Sequence, residues 1–170
     1  MGFLTRKISR AKWQDNGDLD DGEIQADAVT ADLKTTGNTL SFWARETVED
    51  ADLQQAILAV ATGLERIDRL DIAWVDSTAI MEAGLAVAET PGRTPVPGLV
   101  DSHRDIKRLD LVRLGRVSTL LHEAIGNDQH RRFSKKKVVG FITEAVKADL
   151  VSLDDLAEKV RAEVEKLLKT

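Results

Sequence analysis

The chain has 170 residues, 42% hydrophobic and 31% charged, with a net charge of −5, which is the composition of an ordinary folded protein and not of a disordered one. At this length a core that hides roughly 70% of the unfolded surface forms without covalent staples. Cysteine is absent, which excludes disulfides, thiolate metal centres, iron–sulfur clusters and cysteine nucleophiles.

The charge is sorted along the chain. Residues 1–98 hold 9 Lys/Arg against 17 Asp/Glu, residues 99–137 hold 10 against 5, and residues 138–170 hold 5 against 7. No secretion signal heads the sequence. The uncharged stretch 53–64 falls far short of the ~20 apolar residues that cross a bilayer. The expectation is a cytoplasmic protein with no membrane partner.

Leu4–Ser9 reads as a short strand. The acidic run that follows, Asp15-Asn16-Gly17-Asp18 and Asp20-Asp21-Gly22, is rich in turn formers. It lacks the spacing of a calcium loop and the bidentate Glu at the twelfth position, so it reads as a solvated loop. Ala28–Lys34 suits a short helix or strand. Thr39–Trp43 alternates and is rich in strand formers. Asp50 is placed to cap a helix over 51–61, with Leu53, Ala56, Ile57 and Val60 on one face. Leu70–Val75 is a second strong strand, presenting Leu70, Ile72 and Trp74 to one side. Strand, helix and strand within this length match a βαβ unit with parallel strands. Ser77–Glu82 reads as a turn of helix and Leu85–Ala88 as a third short strand.

All three prolines fall between Pro91 and Gly98. That connector separates a mixed α/β part, 1–92, from a helical part, 99–170, within what should be one compact unit. The helical part is expected to hold three helices. The first covers 99–125, with an apolar stripe through Ile106, Leu109, Val117, Leu120, Leu121 and Ala124. The second runs from Lys135 to Ala148 with Ser134 as N-cap. The third spans 152–169, with Leu153, Leu156, Val160, Val164 and Leu167 as a seam that closes the bundle or meets a second copy. The predicted fold class is α+β, a small twisted sheet with one main helix followed by a three-helix C-terminal half.

One cluster has the residue types for catalysis. Asp101, His103 and Asp105 alternate, and Arg93 lies upstream in the connector. Histidine titrates near neutrality and serves as a base. On a helix, however, these three positions fan around the axis and do not converge. They are therefore weak catalytic candidates. His103, His122 and His130 lack the spacing that puts two metal ligands on one helix face, and no phosphate-binding glycine loop or nucleophile elbow is present. No cofactor and no metal site is expected. Trp43 and Trp74 read as core packing at the sheet.

The basic segment gives the leading functional expectation. Arg131, Arg132, Lys135, Lys136 and Lys137 are the candidate partner-binding residues, and the three lysines oppose the dipole of the helix they open. The expectation is a non-enzymatic bacterial interaction protein (an adaptor, immunity-type or accessory subunit) that docks a protein partner or a second copy through this segment. One alternative is a nucleic-acid-binding regulator with a helix-turn-helix-like C-terminal region, although the acid-rich last helix is ill suited to facing bases. The other is an enzyme using Asp101, His103 and Asp105.

Overall fold

The computed structural model describes residues 2–14, 17, 19–20 and 22–169. Much of the acidic run at 15–21 lies outside the described residues. The fold is α+β, as its alternating and helical segments predict. Six strands form one antiparallel sheet, in the order β4-β5-β2-β1-β3-β6. They are β1 (Phe3–Ile8), β2 (Leu40–Arg45), β3 (Leu70–Asp76), β4 (Ala86–Glu89), β5 (His103–Lys107) and β6 (His130–Phe133). The helices are α1 (Ala26–Asp32), α2 (Asp50–Ala61), α3 (Ser77–Glu82), α4 (Leu111–Gly126), α5 (Lys135–Lys147) and α6 (Glu158–Leu168).

The expected pair of parallel strands is present in modified form. β1 inserts between β2 and β3 and runs antiparallel to both, with Leu4 opposite Ala44 on one side and Val75 on the other. β2 and β3 thus point the same way without touching, and α2 makes the crossover. Both faces of the sheet are covered. One carries Trp43, Leu70, Ile72 and Trp74 against α2, α5 and α6. The other carries Leu4, Phe42, Ala73 and Val75 against α1, α3 and α4. The buried pattern of β3, inward on both sides, follows from this three-layer packing.

The single helix expected over 99–125 is not formed. Pro97–Ser102 makes a 3-10 turn, His103–Lys107 is strand β5, and α4 starts only at Leu111. Arg108 in the left-handed region (φ 59°) breaks the chain between strand and helix, and the Asp110 side chain accepts from Arg113 N at 2.7 Å as the N-cap. β5 pairs with β2 and β4, and β6 pairs with β3. The residues after the proline connector therefore supply two of the six strands as well as three helices.

The other departures are local. Asp50 is not the cap of α2; it lies in the first turn, while Asp52 accepts from Thr47 N and Oγ1. Ser152 caps a 3-10 turn over Leu153–Asp155, after which Leu156 is extended and α6 begins at Glu158. The seam survives this shift. Leu156, Val160 and Val164 are buried among α2 and α5 residues, whereas Leu167 stays 39% exposed. No helix among the described residues is long and apolar enough to cross a membrane.

Candidate functional site

The basic segment folds as an edge strand and a helix start. β6 is a four-residue strand whose one buried side chain is Phe133, and its polar residues suit the margin of a sheet. Arg132 reaches across to β3 and holds Asp71 with Nε and Nη2, at 2.7 and 3.2 Å. Asp71 is 6% exposed, so this fork satisfies a carboxylate the sheet would otherwise bury alone. Arg131 pairs with Asp50 in the first turn of α2. Lys135 pairs with Glu163 of α6 at 3.1 Å and holds that carboxyl below its usual range. The Lys137 ammonium lies over the rings of Phe133 and Phe141. Lys136 is exposed, and among the described residues it has no ion-pair partner. β6 sends Arg131 to the α2 and α5 side of the sheet and Arg132 to the opposite side, so the five predicted cations divide between two faces, and three of them are paired with acids from α2, β3 and α6.

The catalytic candidates are only partly assembled. His103 and Asp105 share one face of β5, since residues two apart on a strand do. They are joined through a residue that sequence reasoning missed. Thr90 Oγ1 lies 2.9 Å from His103 Nδ1 and donates to Asp105 Oδ2 at 3.0 Å, while Ser41 Oγ donates to Asp105 Oδ1 at 2.9 Å. His103 is 9% exposed and meets Trp43 edge-on, with ring centroids 5.0 Å apart. Asp101 sits in the 3-10 turn, where its carbonyl accepts from Arg104, and it does not join the chain of hydrogen bonds. Arg93 is exposed in the connector and makes no hydrogen bond to His103 or Asp105 among the described residues. The arrangement orients an imidazole within the sheet, and His103 is not among the residues lining three well-formed clefts of the described residues. No three His, Asp or Glu side chains gather at metal-binding range among the described residues.

A cleft of about 1100 Å³ lies at the other end of the strands from the β1 C-terminus. It wraps the start of β1, the end of β2 and the 3-10 turn before β5, and Arg45, Gln55 and Ser102 contribute polar groups to it. Arg45 alternates with Ser41 and Trp43 along β2. These three residues share one face of β2, on which Ser41 is exposed and Trp43 and Arg45 are buried, so the polar character of Arg45 masks its burial in the sequence.

No protein-family model, curated protein or solved structure matches the chain significantly.

Proposed function

We propose that this protein is a non-enzymatic interaction protein that receives an acidic surface of a protein partner on the ridge formed by β6 and the first turn of α5. The observation that supports this reading is the placement of three lysines on the positive end of a helix. Lys135, Lys136 and Lys137 occupy the first three positions of α5, immediately after its Ser134 cap. Each cation there opposes the macrodipole at a cost of about 0.3–1 kcal/mol when exposed. Among the described residues, Lys135 is the one of the three that recovers that cost in an ion pair. The helix end and the exposed Lys136 ammonium make a local positive field that no acid of the described residues answers, while Lys137 adds its charge from over the rings of Phe133 and Phe141. The pair of Arg131 with Asp50 and that of Arg132 with Asp71, on opposite faces of the sheet, hold β6 in one geometry, which lowers the entropy lost on association.

The test uses Lys136→Glu with Lys137→Glu. A Glu at position 137 would stand three residues after Ser134, the spacing of a capping box. The double variant is therefore expected to keep or raise its melting temperature while it loses at least tenfold in affinity for a poly-glutamate peptide at low salt. Binding of the unaltered protein should weaken steeply between 50 and 200 mM salt. An affinity for the acidic peptide that ignores both charge reversal and salt would defeat the proposal. Tight binding of random duplex DNA in place of the peptide would replace it with the nucleic-acid reading.

A further inference from the structure

A guanidinium is almost never buried unless it is paired. Arg45, the last residue of β2, is 6% exposed, and burial lowers its pKa to about 10 against the opposing pull of Asp52. Its Nη1 donates to the carbonyl of its neighbour Ala44 at 2.8 Å. Its Nε and Nη2 are sealed from solvent and make no hydrogen bond among the described residues. Asp52, the acid whose field reaches it, accepts from Thr47 N and Oγ1 with Oδ2 at 2.7 and 2.8 Å and makes no hydrogen bond to the guanidinium among the described residues.

Nε and Nη2 form one edge of the guanidinium plane. Elsewhere in this protein Arg132 uses that same edge to grip both oxygens of Asp71. Arg45 is a lining residue of the 1100 Å³ cleft, and in the present rotamer the same edge of its guanidinium is turned inward, sealed from solvent. The backbone beneath it is fixed, because a β-carbon on Gly2 would stand 2.0 Å from the Arg45 carbonyl oxygen and only glycine lets β1 press so close. Around the fork the cleft is apolar at Phe3 and Leu99, and at its rim Met81 and Val87 are exposed side chains (50% and 36%).

The charge of the walls selects among anions. Arg104, the other cation of the cleft, is taken up by Glu89 at 2.9 Å and by the carbonyls of Asp101 and His103. Glu46, Asp52 and Asp101 also line the cleft. One guanidinium fork matches a single carboxylate, and the acids around it oppose a dianionic phosphate about twice as strongly as a monoanion. We propose that the cleft binds a small organic monocarboxylate, its carboxylate held bidentate by Arg45 and its apolar body lying along Phe3, Leu99, Met81 and Val87. Binding includes a rotation of the Arg45 side chain toward the cleft, which gives up only the bond to the Ala44 carbonyl.

The experiment is calorimetric titration of the whole chain with acetate, butanoate, hexanoate, octanoate and inorganic phosphate at fixed ionic strength. One octanoate should bind per chain. Affinity should rise roughly three- to fourfold per added methylene until the apolar wall is covered, and phosphate should not compete. Arg45→Gln should weaken octanoate at least tenfold with its far-ultraviolet circular dichroism intact. Met81→Asp, at an exposed position that leaves folding alone, should weaken it severalfold. The Arg45 Nε–H resonance should shift on addition of octanoate, a readout that needs no variant. Octanoate binding no better than acetate, inorganic phosphate competing with it, an unmoved Nε–H resonance, or full affinity in Met81→Asp would each overturn the proposal.

Discussion

Gly92 lies against the indole of Trp43 so closely that a β-carbon there would stand 2.5 Å from Cη2 and 2.9 Å from the Cβ of His103. The proline-rich connector is therefore more than a spacer. Gly92 N also donates to the Val100 carbonyl at 2.9 Å, which ties the connector to the turn that launches β5. Gly92→Ala is expected to force the indole, the imidazole or the loop aside and to lower stability by about 1–3 kcal/mol, the usual cost of overpacking. Urea unfolding followed by tryptophan fluorescence measures it. A midpoint equal to that of the parent chain would show that the contact relaxes freely.

The Thr90 hydroxyl has a single proton. Because a carboxylate only accepts, that proton goes to Asp105, and His103 Nδ1 must then donate to the threonine oxygen. The imidazole is therefore expected to be neutral at Nε2 and protonated at Nδ1 when uncharged. Nitrogen chemical shifts of His103 should show the Nδ1–H tautomer in the parent and a mixture in Thr90→Val. A predominant Nε2–H form in the parent would contradict the direction of this chain.

The sheet has helices on both faces, so its two apolar layers share their strands. Ile142, fully buried, packs in the layer of α2, α5 and α6, and Leu121, fully buried, packs in the layer of α4. Ile142→Ala and Leu121→Ala should each cost roughly 2–5 kcal/mol, and the two losses should add because the sheet separates them. Both variants should unfold in one transition that moves as a whole. Two transitions, one shifted by each substitution, would mean that the layers on the two faces of the sheet melt independently.

The elements that the sequence makes legible are those whose apolar residues set the period. Leu53, Ala56 and Ile57 announce α2, Leu70, Ile72 and Trp74 announce β3, and Val138 and Ile142 announce α5. β5 and β6 are silent for the opposite reason. His-Arg-Asp-Ile-Lys and His-Arg-Arg-Phe are short and polar, and the partners that stabilise them, Ser41, Glu89 and Asp71, come from distant parts of the chain. The apolar residues of β5 and α4 happen to extend one helical stripe, so periodicity merged a strand and a helix. The same long-range pairing hid the site. Nothing local marks Thr90 as the link between His103 and Asp105, and Arg45 resembles a solvated strand end until the cleft and its unpaired nitrogens are seen together.

His130 gives the fold a dependence on pH in the range between neutrality and the carboxylates. Burial and the nearby Arg10 lower its pKa below the usual 6.5, with Arg132 adding to the effect, while Asp128 and Asp71 pull the other way. Its Nδ1 is buried without a hydrogen-bond partner. The folded protein thus holds fewer protons on this ring than the unfolded chain does, and stability falls as pH drops below about 6.5. A second, separate loss follows at lower pH. Asp76 and Asp110 have carboxyls lowered by the backbone N–H groups of Thr78 and Arg113 that they cap, so their contributions are present above the ordinary carboxylate range and vanish as they protonate. His130→Gln is expected to flatten the stability curve between pH 7 and pH 5 and to leave the acid limb in place, whereas Asp76→Asn should change only the acid limb. Chemical denaturation at half-unit pH steps resolves the two. A slope between pH 7 and pH 5 that is unchanged in His130→Gln would assign that limb to another group, and the buried Nδ1 would then carry no proton-linked cost.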